Sequence, residues 1–262
     1  MCSSDLQLGE PLRDQWPYQA TTAAILAHSL LRAEPGVDAE RTGVTGISWG
    51  GYLTCLMAGL DDRLKFAVPV YGCGNYEETT FAAPLAKLPP EQSALWYAQW
   101  DAKHYIPAIR VPTLWVNGPN DKFFWPPGWQ KSHQQMTPAL RTVSLLLGMK
   151  HGNPPAGDPP EVSAFADSVV RGGPSLAKAT ATRREDNEIM VDFESPRSLS
   201  KADLVYTTDT ESPWEKRVWQ STPAEVEGDS VKAVLPPDAR LYYVALQDDR
   251  GLITTTDYGE KP

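Results

Sequence analysis

The sequence predicts an α/β protein with a doubly wound, mostly parallel sheet, followed by a small all-β, sandwich-like domain. Strands and helices alternate at least four times between Tyr18 and Gly173, which is typical of βαβ units. The stretch Leu64–Tyr71 is apolar almost throughout rather than alternating, as expected of a strand that is covered on both faces. After Gly172 no helical period survives, and this predicts the all-β part.

The elements of the α/β part follow from periodicity and from proline and glycine positions. Apolar residues recur every three or four positions from Ala20 to Leu31, which predicts a helix that Pro35-Gly36 ends. Prolines 126 and 127 fit the first turn of a later helix. Strands are predicted over Thr42–Ile47, Leu64–Tyr71, Pro112–Val116 and Arg141–Leu147, and further helices over Gly51–Leu60, Pro89–Trp100, Pro126–Gln135 and Glu161–Arg171.

The all-β part is predicted from short strand-like segments at a spacing of about 8–12 residues, as in a small β-sandwich. These segments are Glu188–Phe193, Asp203–Thr208, Glu215–Gln220, Asp229–Leu235 and Leu241–Gln247. Turn-like stretches rich in Ser, Asp and Pro lie between them. We place the domain boundary near Gly173, giving an α/β domain over residues 7–173 that lacks its first strands and a β domain over residues 174–262.

Charge and composition exclude several classes of protein. The 262 residues include 24 Lys plus Arg against 33 Asp plus Glu, and the resulting charge of -9 is opposite to that of a nucleic-acid binder. The sequence contains no run of ~18 apolar residues, so no membrane span is expected within this stretch. The three cysteines, Cys2, Cys55 and Cys73, form no disulfide framework and no C-x-x-C zinc motif.

A nucleophile motif lies between the first predicted strand and the following helix. Gly46-Ile47-Ser48-Trp49-Gly50 fits G-x-S-x-G, and the nucleophile elbow requires this strand-turn-helix context. Such a turn lifts a serine side chain above the sheet edge. Gly46 and Gly50 leave no Cβ where strand and helix pack most closely, and Gly51 extends that clearance. We therefore predict that Ser48 is a catalytic nucleophile.

A serine nucleophile needs a base and an acid, and the sequence supplies both in the expected order. The hydroxyl is weak until an imidazole takes its proton, and an acid must orient that imidazole. In this architecture the chain order is serine, acid, histidine. Asp121 follows the strand Pro112–Val116 and His151 follows the strand Arg141–Leu147, at the sheet edge where α/β proteins bind their ligands.

The rival candidates have plainer interpretations. His28 is expected to be an exposed or half-buried helix residue, His104 a surface residue, and His133 a solvated residue inside a helix. Asp101 precedes the strand that leads to the acid loop, and Asp158 follows the histidine. Neither acid fits the required order.

The oxyanion that forms during acyl transfer needs N–H donors. The backbone N–H of Trp49, directly after the nucleophile, supplies one. The second is expected from a loop upstream of the elbow, which these residues do not contain. We therefore expect a fragment truncated at its amino end. Its first six residues match the translation of a library adapter, with a natural polar N-terminus as the alternative.

Truncation has consequences for the 262-residue chain itself. Loss of one oxyanion donor lowers turnover by about 10²–10³-fold, and an exposed sheet edge favours aggregation. We expect the chain to be poorly soluble and nearly inactive.

Aromatic residues follow the predicted acid. Phe123, Phe124, Trp125 and Trp129 have two interpretations. They form a wall of the substrate pocket on which a sugar or aryl group stacks, or they pack beneath the acid loop.

With these residues in place, the chain resembles the α/β-hydrolase superfamily, in particular the acetylxylan esterase, dienelactone hydrolase and prolyl-oligopeptidase-like group. The resemblance rests on Val44–Thr54 around the nucleophile, on Val37–Arg41 before it, on the acid loop Asn117–Asp121, and on His151-Gly152. It implies a partial α/β-hydrolase fold and a bacterial serine hydrolase that is often exported, so that a periplasmic or secreted location is implied. The chain departs from this group by lacking the first strands and the oxyanion loop.

These observations predict a serine carboxyl-ester hydrolase that acts on small-molecule or carbohydrate esters, without a metal or an organic cofactor. Ser48 attacks, His151 transfers the proton and Asp121 orients His151. Two alternatives remain open. One is a prolyl-oligopeptidase-like serine peptidase, which would carry a large β domain upstream. The other is a non-catalytic carbohydrate-binding or scaffold protein, which the intact Ser, Asp and His disfavour.

Overall fold

The computed structural model describes residues 7–152 and 157–261. The six residues interpreted as an adapter lie outside this range. The chain divides into two compact units. The first comprises Met1–Thr113 and Lys122–Arg141, and the second comprises Leu114–Asp121 and Thr142–Pro262. The domain boundary near Gly173 stays a prediction.

The first unit contains five helices and a parallel strand pair among its described residues. The helices are α1 (Trp16–Ala33), α2 (Trp49–Leu60), α3 (Ala82–Ala86), α4 (Pro90–Trp100) and α5 (Pro126–His133), and the strands are β1 (Val44–Ile47) and β2 (Ala67–Val70). The two strands pair in register from Val44 opposite Ala67 to Ile47 opposite Val70. All four residues of β2 are buried, as its continuous apolar sequence predicts. Helices α1, α4 and α5 have proline in their first turn, where its missing N–H has no helical partner to lose.

The second unit begins with the strands that carry the predicted acid and base. It takes in nearly all of β3 (Thr113–Asn117) and β4 (Arg141–Leu145), together with α6 (Pro160–Arg171). The N–H of Leu146, just after β4, donates to the carbonyl of Asn117 at the end of β3 with a distance of 2.8 Å. The carboxyl ends of these two strands therefore lie side by side. The alternation of strands and helices through β4 and α6 confirms the predicted α/β class.

The remainder of the second unit is one antiparallel sheet of eight strands that curls around its own core. Its path runs β11-β10-β7-β8-β9-β6-β5, and β12 pairs with β10. Alternate side chains of these strands, such as Ile189, Val191 and Leu204, form a continuous buried core. The predicted sandwich-like β domain is confirmed in this curled form. The strands are β5 (Lys178–Glu185), β6 (Glu188–Glu194), β7 (Leu199–Thr207), β8 (Gln220–Glu227), β9 (Ser230–Val234), β10 (Leu241–Asp248), β11 (Ile253–Thr255) and β12 (Gly259–Glu260).

One predicted strand is wrong and several are missing from the prediction. Residues 215–220 do not form a strand: Trp214–Lys216 is a 3-10 turn, and β8 begins at Gln220. Strand β5 escaped prediction because its outer half is exposed and polar, which removes the alternating pattern. Strands β11 and β12 have only three and two residues, too few for any period to show.

Helix α6 is joined to β11 through a buried carboxyl group. Glu161 is 3% exposed, and its Oε1 accepts a hydrogen bond from the N–H of Ile253 at 2.8 Å. Its Oε2 is buried and has no hydrogen-bond partner among the described residues. Burial raises the pKa of Glu161 above its ordinary value, and hydrogen bonds from backbone N–H groups only partly offset this.

We expect Glu161→Gln to gain stability over the wild type as the pH rises. A raised pKa in the folded state means that Glu161 stabilises the fold while protonated, and that this stability is lost as the pH rises through the folded pKa. Glutamine stays neutral and keeps an acceptor for Ile253. Urea unfolding at pH 4 and at pH 8 should show the difference in free energy of unfolding move in favour of the variant at the higher pH. A difference that does not vary with pH contradicts this account.

Candidate active site

Ser48 occupies the turn between β1 and α2 in a strained conformation. Its φ is 60° and its ψ is −115°, a region that residues with a Cβ rarely adopt. Backbone hydrogen bonds hold it there: Ser48 N–H donates to the carbonyl of Val70 at 2.9 Å, and Tyr52 N–H donates to the carbonyl of Ser48 at 3.0 Å. Trp49 is the first residue of α2, so its N–H is one of the unbonded donors at the positive end of a helix.

At three of the glycines around Ser48, another backbone segment lies so close that a Cβ would not fit. A Cβ on Gly46 would come within 3.0 Å of Gly50, as predicted. A Cβ on Gly51 would lie 2.5 Å from the carbonyl oxygen of Val70, and one on Gly72 would meet the backbone of Gly51. A Cβ on Gly50 would meet nothing within 4 Å. The clearance therefore comes from Gly46, Gly51 and Gly72, whereas the prediction that Gly50 needs room for a missing Cβ is wrong.

We expect Ser48→Gly to be more stable than Ser48→Ala. Both variants lose the hydroxyl group, but only glycine adopts φ = 60° and ψ = −115° without strain. Relief of about 1–3 kcal/mol of strain, less the larger unfolded-state entropy of glycine, leaves a difference of about 1 kcal/mol. Thermal unfolding of the two variants measures it. Equal stabilities would show that the turn carries no strain.

Asp121 and His151 form a hydrogen-bonded pair in the second unit. The distance from Asp121 Oδ2 to His151 Nδ1 is 2.6 Å, and the two side chains are 0% and 9% exposed. Asp121 ends a turn after β3, in which its N–H donates to the carbonyl of Gly118. Gly118 packs against the carbonyl of Met149 so closely that a Cβ would collide with it. This packing holds the acid loop against the histidine loop.

His28 is not the exposed or half-buried residue that the sequence predicts. It is 5% exposed, and its ring nitrogens bond Asp61 Oδ2 at 2.7 Å and Thr42 Oγ1 at 2.8 Å. Burial favours the neutral acid, but hydrogen bonds from Arg63 and His28 outweigh it and hold the pKa of Asp61 below its ordinary value. This histidine joins α1 to the residues that flank β1 and α2, which is a structural role.

The other rivals also have structural roles or lie at the surface. His133 is fully buried at the end of α5 and packs on Trp129, so its predicted solvation is wrong. Asp101 is fully buried and accepts hydrogen bonds from the N–H groups of Asn75, Tyr76 and Lys103. Burial raises the pKa of Asp101, although these N–H groups favour its charged form.

The two remaining rivals lie at the surface. His104 is exposed, with Nε2 bonded to the carbonyl of Tyr97, as predicted. Asp158 is also exposed.

The side chain of Trp49 lies in a cluster of aromatic rings. Its ring centroid is 5.4 Å from that of Phe81 and 6.3 Å from that of Tyr76. Phe81 in turn lies 5.2 Å from Phe124 and stacks on Phe123 at 6.2 Å. Two of the four predicted aromatic residues are thus joined through Phe81 to the residue after the nucleophile.

The four predicted pocket residues divide by burial. Phe124 and Trp129 are buried, and Phe123 and Trp125 are half-buried. Trp129 packs against His133 in α5. Their role in substrate binding stays a prediction.

Sequence reasoning missed Tyr76 and Phe81 as members of this cluster. They come from the segment after β2, and the carbonyl of Phe123 accepts a hydrogen bond from Thr80 N–H at 3.1 Å. No local motif marks these residues, because only the folded chain brings them beside Trp49.

The residues predicted to be catalytic are divided between the two units. Ser48, Trp49 and the aromatic cluster belong to the first unit, and the Asp121–His151 pair belongs to the second. Within the described ranges, no three His, Cys, Asp or Glu side chains are grouped so that they could hold a metal ion. No described helix has both the length and the apolar character needed to cross a membrane.

The chain is similar to one protein family and to several solved structures. A model of the prolyl oligopeptidase family matches residues 8–139, just over half of the chain. The acetyl xylan esterase from Paenibacillus sp. R4 is 20% identical with a TM-score of 0.50, and the match covers 59% of this chain and 54% of the esterase. The acylaminoacyl peptidase from Pyrococcus horikoshii is also 20% identical, with a TM-score of 0.45 and coverage of 55% of this chain and 27% of the peptidase. A search of curated proteins found no match.

The chain thus spans about half of the esterase and about a quarter of the peptidase. The elbow between β1 and α2, the strand-helix order and the likeness to the esterase define a partial α/β-hydrolase fold. Within that superfamily, the chain belongs to the prolyl oligopeptidase family.

Proposed function

We propose that this chain is the catalytic part of a serine hydrolase that cleaves carboxylic esters, with carbohydrate esters of the acetylxylan type as its substrates. The observation that carries the proposal is the strained elbow conformation of Ser48, with φ at 60°. Strain of this kind persists at functional sites, where it presents a reacting group. The Asp121–His151 pair supplies the acid and base that such a serine requires.

The proposed reaction proceeds through an acyl-enzyme. Ser48 Oγ attacks the ester carbonyl carbon while His151 takes the hydroxyl proton. Because Nδ1 of His151 bonds Asp121, proton transfer falls to Nε2. The same nitrogen returns the proton to the departing alcohol and then takes one from the water that hydrolyses the acyl-enzyme. Asp121 holds the imidazole tautomer and stabilises its charged form.

The developing oxyanion is proposed to bind the N–H of Trp49. This N–H lies at the N-terminus of α2, where unbonded backbone donors and the helix dipole favour negative charge. Phe123 and Trp125, which are half-buried, are proposed to contact the substrate. Phe124 and Trp129, which the sequence also assigns to this pocket, are buried.

Two alternatives lead to different experimental results. The family match favours a serine peptidase, which would use Ser48, Asp121 and His151 in the same roles. A non-catalytic carbohydrate-binding protein would bind acetylated xylan without cleaving it. The likeness to a structure described as an acetyl xylan esterase supports the ester-cleaving proposal.

The test compares ester and amide substrates with Ser48→Ala as the control. Activated esters such as p-nitrophenyl acetate are suitable, because their carbonyl needs less oxyanion stabilisation. The proposal predicts slow cleavage of p-nitrophenyl acetate and slow release of acetate from acetylated xylo-oligosaccharides, in line with the low turnover expected of this chain, and neither reaction with Ser48→Ala. Faster cleavage of prolyl or aminoacyl p-nitroanilides would establish the peptidase instead. Binding of the oligosaccharides without cleavage of any substrate would establish the non-catalytic alternative.

A further inference from the structure

A loop of the all-β part is hydrogen-bonded directly to the acid loop. Residues 209–217, between β7 and β8, form what we call the 209–217 loop. The side-chain Nδ2 of Asn120 donates to the carbonyl oxygens of Trp214 and Arg217, each at 2.8 Å. Both partners are acceptors, so the amide nitrogen must face them. Asn120 immediately precedes Asp121.

Several contacts within the 209–217 loop hold its backbone in place. Arg217 donates from Nε to the carbonyl of Ser212 and from Nη2 to the carbonyl of Thr210, each at 2.9 Å. Its guanidinium group stacks on the ring of Trp214 at 3.7 Å. The carboxylate of Asp209 accepts hydrogen bonds from the N–H groups of residues 211 and 212. The carbonyls that receive the Asn120 amide are therefore held by several independent contacts.

Asn120 is also the sequence neighbour of Asp121, the acid of the proposed acid–base pair. Asp121 is completely buried, and its Oδ2 lies 2.6 Å from His151 Nδ1. The compact unit that contains Asp121 and His151 also contains the 209–217 loop and the whole curled sheet. A shift of the Asn120 backbone displaces Asp121, because a single peptide bond separates them.

We propose that Asn120 is a positioning residue that fixes Asp121 against His151 by fastening the acid loop to the 209–217 loop, so that the all-β part supports the acid–base pair. This inference rests on the proposed function. It assigns to the all-β part a role beyond the stability of its own core. It also explains why residues 215–220 do not form the predicted strand, because a strand would not turn the carbonyls of both Trp214 and Arg217 to Asn120.

Asn120→Ala tests the proposal through the reaction of Ser48 with a fluorophosphonate probe. Loss of both hydrogen bonds is expected to slow the reaction by about 10–100-fold, since small misplacements of catalytic groups have effects of this size. A loosened carboxylate stabilises the protonated imidazole less, so the pH of half-maximal rate should move to lower pH. A purely structural role would leave that pH unchanged.

Two further variants complete the design. Arg217→Ala releases the 209–217 loop from Ser212 and Thr210 and should move the rate and the pH profile in the same direction by a smaller factor. Arg197→Ala removes an exposed ion pair with Asp249 elsewhere on the same curled sheet and should change neither. Thermal unfolding of every variant confirms that the comparison concerns folded protein.

The outcomes separate this inference from the proposed function. If the wild type reacts at Ser48 but Asn120→Ala reacts at the same rate, or more slowly with an unchanged pH profile, the positioning role is wrong and the function stands. If the wild type does not react at Ser48, the proposed function fails. The positioning role is then judged by proton NMR: the low-field signal of the proton between His151 and Asp121 should broaden or vanish in Asn120→Ala, and an unaltered signal overturns it.

Discussion

Asp121→Asn is expected to lower the rate at which Ser48 reacts with esters by about 10⁴-fold while leaving the fold intact. The carboxylate only accepts hydrogen bonds and so requires a proton on His151 Nδ1, 2.6 Å away. Asparagine is able to turn its amide N–H toward Nδ1, which then becomes the acceptor. The ring proton moves to Nε2, and that nitrogen no longer takes the proton of Ser48. Steady-state cleavage of p-nitrophenyl acetate, with thermal unfolding in parallel, measures both consequences.

Asp158→Asn provides a matched control for this substitution. Asp158 lies close to His151 in the sequence but is exposed, so the same chemical change there should leave the rate within about twofold of the wild type. If Asp121→Asn retains most of the wild-type rate, or if both variants lose it equally, Asp121 is not the acid that orients His151.

Gly51→Ala is expected to destabilise the fold by at least about 3 kcal/mol. The new Cβ would lie 2.5 Å from the carbonyl oxygen of Val70 and 2.7 Å from the nitrogen of Gly72. Backbone atoms of β2 and of the segment that follows it cannot move as a flexible side chain does, so α2 must be displaced from the strand. Urea unfolding monitored by circular dichroism measures the loss.

Gly50→Ala is the control, one position earlier in the same helix. A Cβ there would meet nothing within 4 Å, and alanine is the better helix former by about 0.5–1 kcal/mol. The variant should therefore match or exceed the wild type in stability. Equal destabilisation by the two substitutions would show that helix propensity, and not the close approach of α2 to β2, determines the result.

The predicted elements that proved right are those for which local sequence determines the outcome. Strand β2 is buried along its whole length, and its apolar sequence shows this without any knowledge of its neighbours. Helices α4, α5 and α6 begin at Pro90, Pro126 and Pro160, and proline marks such starts locally. Asp121 and His151 are hydrogen-bonded to each other and follow strands whose carboxyl ends lie side by side, but their catalytic role stays a prediction.

The errors arise where a distant residue decides the local structure. Residues 215–220 look like a strand, but Trp214–Lys216 forms a 3-10 turn, and the carbonyls of Trp214 and Arg217 accept hydrogen bonds from Asn120, nearly a hundred residues earlier. His28 looks like a surface residue of α1, yet Asp61 and Thr42 close over it. In both cases one deciding partner, Asn120 or Asp61, lies outside any window over which hydrophobic periodicity is read.

The central claim is that Ser48 is an activated nucleophile, and covalent modification tests it most directly. The chain is incubated with a fluorophosphonate, digested, and its peptides are mapped by mass spectrometry, with Ser48→Ala treated in parallel. The account predicts a single phosphonylated site on the peptide that contains Ser48, absent from the Ser48→Ala protein. Absence of any adduct from the folded wild-type chain, or an adduct that persists in Ser48→Ala, would contradict it.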